Sequence, residues 1–551
     1  MKLNYKRTLY VGFAFFLICA FWQAYDSIIP KILTDKFGMS QTLSGIIMAF
    51  DNVLALFMLP LFGSLSDRCK HKSGRRTPFI KVGTVVAAIA FVLLSFADYA
   101  QLKNIDNVAK FDDKVTLETL YDHQYGKEHT VMTPDGIEFR VDYFSRDEWL
   151  SINSGTRYYV LKTEKLPIVK AADCQAIYDG KEMHYANGVS EDAASLMLNC
   201  KVVEPYIQYV VPARQVYAWD VTTHDPTALI FFMALLLITL IAMAVFRSPA
   251  VALMPDVTPK PLRSKGNAMI NLMGSFGGVL VLVMGILLGT GKIQNQLMSY
   301  TLFMAIISGI MIMALIVFII KVKEPEWAAE ADALNTDETE IDLPGKQKLS
   351  PGERKSLILI LASVALWYIG YNAISSKYSV YATSVLSMDY NTTIIVGQLA
   401  AIAAYFPASA LSSKFGRKKT IMAGVVVLAF AAAMASFLTS SSSTLLMNIL
   451  FALCGIGWAT INVNSFPMVV ELSKGGDVGK YTGFYYTASM AAQIATPIFS
   501  GFLMDQFGMR ILFPYAAIFV GLAFVTMHFV KHGDCKPIPK NNALEVLGTE
   551  D

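Results

Sequence analysis

Ionisable and amide side chains set inside long apolar runs are the residues of this sequence best placed to do chemistry. Asp51 stands about ten residues into the run 42–62, beside Asn52 and between apolar neighbours. At about 1.5 Å of rise per residue that is roughly 15 Å along a helix, near the middle of a bilayer if the run spans one. A charge at that depth is costly and is a functional candidate by default. A carboxyl there could bind and release a proton or coordinate a cation; the alternative is a structural Asp held by a neighbouring helix. Asp26, in the run 8–30, and Lys377, in 357–384, lie nearer the ends of their runs. They either pair with each other or reach separately to the membrane surface. Arg247 stands just before Pro249 and is expected to pair with an acid or a solute hydroxyl. Asp256 and Glu471, close to run ends, suit caps and interfacial pairs.

A second set is uncharged. Trp22 and Trp367 fall near mid-depth, away from the interfacial positions that Trp usually takes. Tyr25, Asn271, Tyr371, Asn372, Gln398, Asn462, Asn464, Tyr485 and Gln493 add polar groups within apolar runs. So many amides facing lipid would be expensive, so they either line a wet cavity or bond one another as interhelical contacts. Planar hydrogen-bonding groups beside aromatic faces suit a sugar, whose hydroxyls bond and whose C–H faces stack. The expected solute-binding set is Trp22, Tyr25, Arg247, Asn271, Trp367, Tyr371, Asn372, Gln398, Asn462, Tyr485 and Gln493, with Asp51 and Asn52 as the cation-coupling site.

The elements that must position these residues follow from hydropathy. The chain has 551 residues, 54% hydrophobic and 16% charged, with a mean hydropathy of +0.45. A soluble protein of this length would be less apolar. Apolar runs cover about 8–30, 42–62, 79–97, 227–247, 267–289 and 299–321, then 357–384, 392–412, 420–438, 443–466, 481–503 and 511–530. Each is long enough for about 20 helical residues to cross a bilayer. The expectation is an all-α membrane protein of twelve spans in two six-helix bundles (1–97 with 227–321, and 356–531). A flexible acidic linker over 322–355 and a tail over 532–551 complete it. The first run lacks a small-residue cleavage site and reads as a retained span.

Lys and Arg clusters before the first run and after the second, fourth and eighth fall on one side if every run crosses once. The positive-inside rule makes that side, and both termini, cytoplasmic. Residues 98–226 then lie outside the cytoplasm; they hold 13 Lys and Arg against 21 Asp and Glu, although the whole chain carries +3. Alternating segments at 137–144 and 156–163, with helical stretches near 190–200, predict a small α+β insertion there. Cys174 and Cys200 could pair in it. Its four histidines (123, 129, 184 and 224) lack metal-ligand spacing and read as surface residues.

The two halves echo each other: Pro60–Asp67 followed by Gly74-Arg75-Arg76, and Pro407–Lys414 followed by Gly416-Arg417-Lys418. Such parallel repeats build a site between two bundles. The stretch GSLSDRCKHKSGRRTPFI, Gly63 to Ile80, resembles the loop motif of the major facilitator superfamily. Its longer form resembles the sucrose:proton symporters of the glycoside–pentoside–hexuronide group. SPAVALMPD (248–256), GYN (370–372), INVNSFP (461–467) and YTGFYY (481–486) add weaker echoes. The resemblance touches most spans but not 98–226. It implies a gating role for Gly63, Asp67, Arg68, Gly74, Arg75 and Arg76. Asp67 would latch onto the N-terminal dipole of the helix starting near Lys480. Asp26 and Lys377, on equivalent cavity-lining helices, would make and break an outer ion pair. Two positions depart from the pattern. Val251 stands where sucrose carriers have Arg, with Arg247 one turn earlier, and Lys414 stands where the first half has Asp67.

The function so implied is a proton- or sodium-coupled symporter of a disaccharide or related glycoside in the cell membrane. It would work by alternating access as a monomer, with the coupling ion in place of any cofactor and no nucleic-acid partner. A carrier of another polar solute, an exporter, or a non-transporting nutrient sensor using the exterior domain are the competing readings. Walker A, GxSxG and HExxH patterns are missing from the sequence, which argues against an enzyme.

Overall fold

A computed structural model describes residues 4–105, 211–259, 262–292, 295–335, 349–386, 388–439, 442–472 and 478–533, with short strands between 130 and 197. Helices dominate. The first half contains α1 (Tyr5–Lys31), α2 (Gln41–Asp67) and α3 (Thr77–Asn104). After the insertion come α4 (Val211–His224), α5 (Thr227–Asp256), α6 (Arg263–Leu288) and α7 (Thr301–Lys321). A short α8 (Glu324–Asn335) precedes the second half. That half comprises α9 (Pro351–Ser384), α10 (Tyr390–Phe415), α11 (Arg417–Ala435), α12 (Thr444–Glu471), α13 (Val478–Phe507) and α14 (Leu512–His528). Leaving out α4 and α8, the twelve long helices match the twelve expected spans. Among the described residues, ten are long and apolar enough to cross a membrane. The other two long helices are α10 and α13.

Local chemistry sets the helix ends. The Ser40 hydroxyl accepts the Leu43 amide at the start of α2, and Ser350 with Glu353 forms a capping box on α9. At the end of α1 the chain widens into a π-helical turn, Ile32–Lys36. Each half has its own apolar core. α1 packs on α6, α3 on α5 and α7, and α2 on α5 in the first; α10 and α11 pack on α12, and α9 on α14, in the second. Across the seam, α2 lies against α13, α1 against α9 and α6 against α10.

Two expectations change. The stretch read as a plain linker is helical over Glu324–Asn335. There the Glu324 carboxylate accepts the Arg76 and Thr77 amides, each at 2.8 Å, and Trp327 joins the first-half core. The stretch near 190–200 forms strands instead of helix. β1 (Thr130–Met132) pairs with β2 (Glu138–Arg140), and β3 (Val160–Leu161) with β8 (Leu196–Met197). β4 (Val169–Ala171), β5 (Cys174–Tyr178), β6 (Glu182–Tyr185) and β7 (Ser190–Asp192) form one antiparallel sheet in that order. The insertion ends in α4, whose Gln215 and Thr222 donate to the Met39 and Phe37 carbonyls. The proposed Cys174–Cys200 pairing falls outside the described residues.

Candidate functional site

A cavity of about 700 Å³ lies between the two halves, within the range of small-molecule sites. Its first-half wall is polar, with Gln23, Asp26, Asn271 and Ser275 from α1 and α6. Its second-half wall is aromatic. Tyr371 and Trp458 stack with centroids 3.7 Å apart and planes 6° from parallel, and Tyr368 stands edge-on to Trp458 at 5.1 Å. Phe466, Tyr485 and Tyr486 continue that wall, and Gln398 and Asn462 interrupt it. The helix face follows the 3.6 period: Tyr368, Tyr371, Ser375 and Tyr378 of α9 all line the cavity.

Of the residues expected to bind solute, Trp22, Asn271, Tyr371, Gln398, Asn462 and Tyr485 line this space. Trp22 Nε1 and Gln398 Oε1 have no hydrogen-bond partner among the described residues. Five others lie elsewhere. Trp367 is 0% exposed and sits in the second-half core, because it is turned about 100° from the Tyr368 face. Tyr25 lies behind Trp22, edge-on at 5.3 Å. Asn372 and Gln493 are not among the lining residues. Arg247 lies over the Trp22 ring, 5.3 Å from its centroid, holding that ring without lining the cavity.

Asp26 was expected in an outer ion pair and instead lines the cavity. Its expected partner is held elsewhere: Lys377 is fully buried and donates to the Gln41 carbonyl at 2.7 Å. The pairing fails because α9 turns Lys377 toward the start of α2. Asp51 accepts the Asn52 amide at 2.6 Å and the Asn52 side chain at 2.8 Å. Arg247 is within electrostatic range of both Asp51 and Asp26. The sequence reading missed Gln23, Tyr368, Trp458, Tyr405 and Tyr486. Gln23 was legible as an amide inside an apolar run; single tyrosines and tryptophans carry no such signal.

The loop motif is built within the first half. Arg75 and Arg76 hold Asp256 at 2.7 and 2.8 Å, Asp67 pairs with Arg76, and Arg68 is exposed. A Cβ on Gly63 would come 2.9 Å from the Ser248 hydroxyl, so α2 and α5 approach closely there. The second half repeats the arrangement, with Arg417 on Glu471 at 2.8 Å and positive φ at both Gly74 (110°) and Gly416 (91°). The side chains at 478–480, where α13 starts and Asp67 was expected to dock, fall outside the described residues.

Hydrogen bonds cross the seam at mid-depth and at the face carrying the insertion. Gln398 donates to Gln23 at 2.6 Å. Thr290 bonds the Tyr390 hydroxyl at 2.9 Å and accepts from Asn391 at 3.1 Å. Asp505 accepts the Gln41 and Thr42 amides at 2.8 and 2.7 Å.

The family model described as Major Facilitator Superfamily matches residues 11–104 and 390–545. The fold agrees over nearly the whole chain. An inward-open xylose transporter XylE from E. coli superposes with a TM-score of 0.53, covering 99% of each chain at 13% identity. A D-xylose-proton symporter gives 0.54, covering 96% of this chain and 99% of that one at 14% identity. The chain thus resembles the major facilitator superfamily in sequence over those two segments and shares the fold of these transporters along nearly its whole length. The fold and the long apolar helices make it a multi-pass membrane protein. The fold is shared more widely: the nucleoside transporter NupG, in a mutant form, matches with a TM-score of 0.50 at 12% identity, over 95% of this chain and all of that one. The sucrose transport protein SUC3 of Arabidopsis thaliana is 37% identical over 60 residues, 11% of this chain. The aligned part spans only 10% of that relative's length.

Proposed function

We propose that this protein is a cation-coupled symporter of a disaccharide or related glycoside, working by alternating access. The observation that carries the reading is one cavity combining an aromatic wall, an amide-rich wall and the Asp26 carboxyl. The stacked Tyr371–Trp458 surface fits the C–H face of a sugar ring, and Gln23, Asn271, Gln398 and Asn462 suit its hydroxyls. Among the described residues Asp26 is the only charged one in the lining, and its carboxylate disfavours an anionic solute. Asp51, outside the cavity lining, is the carboxyl we assign to the coupling proton or sodium ion, with Asn52 holding it. The basic clusters put the face carrying the termini in the cytoplasm of a cell-membrane carrier.

The test is uptake of labelled sucrose, maltose and other glycosides into proteoliposomes under an imposed proton gradient, then a sodium gradient. Accumulation above the external level, abolished by collapsing the gradient, supports the reading. No uptake of any sugar by folded protein overturns it. The flat Tyr371–Trp458 stack also suits a planar base, so a nucleoside is the second solute class to assay.

A further inference from the structure

The first turn of α2 is completed from the other half of the molecule. A helix start leaves its first amides without partners inside the helix. Here Ser40 satisfies Leu43, while Asp505, near the end of α13, accepts the Gln41 amide at 2.8 Å and the Thr42 amide at 2.7 Å. The Thr42 hydroxyl donates to the same carboxylate. Its negative charge faces the positive end of the α2 dipole. From α9, Lys377 donates to the Gln41 carbonyl at 2.7 Å and lies within electrostatic range of Asp505. The backbones touch around this point. A Cβ on Gly45 would lie 2.0 Å from the Pro497 carbonyl, and one on Gly501 2.2 Å from that of Gln41. At the opposite end of α2, Asp67 pairs with Arg76 of its own half.

We propose that Asp505 and Lys377 form a clasp on the first turn of α2 that holds the insertion face shut, and that releasing it is a step in opening that face. Opening separates α2 from α13, so the Gln41 and Thr42 amides and the Gln41 carbonyl must all exchange these partners for water. Hydrogen bonds to charged groups are the stronger kind. The clasp therefore biases the carrier toward the state described here, in which the seam is bonded at the insertion face. The bias rests on the alternating-access reading but not on the identity of the solute.

Ser44 supplies a reporter, since it is 0% exposed beneath the clasp. The full chain carrying Ser44→Cys is placed in lipid nanodiscs and labelled with a membrane-impermeant maleimide; protein with Ser44 intact gives the background from native cysteines. Adding Asp505→Ala is expected to raise the Ser44→Cys labelling rate about tenfold, the scale of losing a charged hydrogen bond. Lys377→Met and Thr42→Val are expected to raise it by smaller factors. Labelling of a monodisperse Asp505→Ala protein at the parent rate would overturn the proposal. If Asp505→Ala does not fold, unchanged labelling in both Lys377→Met and Thr42→Val overturns it instead. The assay needs no solute, so a carrier that moves no sugar can still pass it, and a sugar carrier can still fail it.

Discussion

Gln398 of α10 donates to the Gln23 amide oxygen of α1 over 2.6 Å, across the seam between the two halves. Both residues line the cavity, and the Gln398 oxygen has no partner among the described residues. This amide pair can hand its bonds to a solute that bridges the halves. Gln23→Ala and Gln398→Ala are each expected to raise the half-saturating solute concentration about tenfold, the scale of one or two hydrogen bonds. The double variant should lose less than the sum of the two, because the residues act as a unit. Initial-rate uptake in proteoliposomes measures both effects, and strict additivity would separate their roles.

Asp51→Asn keeps the shape and the Asn52 neighbour but removes the charge. Gradient-driven accumulation is expected to disappear, while exchange of labelled for unlabelled solute at equal concentrations continues. Full accumulation by this variant would transfer the coupling role to another group, with Asp26 first in line because it faces the cavity.

Two tryptophans on neighbouring helices should behave oppositely. Trp458→Ala removes one member of the stacked cavity wall and is expected to weaken solute binding about tenfold, as aromatic contacts of this kind contribute about 1 kcal/mol. Trp367→Ala empties a site deep in the second-half core and should cost about 3–5 kcal/mol of stability. Half-saturation in the surviving protein should stay unchanged. Thermal unfolding in detergent and uptake kinetics, measured on both variants, check the contrast.

Lys36 and Asp98 form an ion pair whose side chains are both 0% exposed, and Lys36 also donates to the Met298 carbonyl at 2.8 Å. Lys36→Ala leaves the Asp98 charge buried alone and is expected to lower stability by about 3–5 kcal/mol. Replacing both with apolar residues, Lys36→Met with Asp98→Leu, should recover most of that loss. The comparison is read as the unfolding midpoint in detergent.

The residue pattern along the chain was enough to specify the membrane fold. Span number, the break into six and six, and the repeated Gly-Arg loops depend on composition along the chain, because burying a helix in lipid requires about 20 apolar residues whatever its neighbours are. The amides within those runs also implied a polar interior, since lipid offers them no partner. Depth along a helix could be counted from sequence, and it placed Trp22, Asn271, Tyr371 and Gln398 well.

Direction around the helix could not be counted, and there the tertiary structure decided. Trp367 and Tyr368 are consecutive, yet one is core and the other cavity wall, because about 100° of rotation separates them. Asp26 and Lys377 were plausible partners by charge and depth, but α9 turns Lys377 to the start of α2 and leaves Asp26 facing the cavity. Arg247 found its place over the Trp22 ring only through the packing of α1 and α5. Charges in a low-dielectric interior are settled by whichever partner the helices bring within a few ångströms. That distance is a property of how the helices pack, and the order of residues along the chain does not contain it.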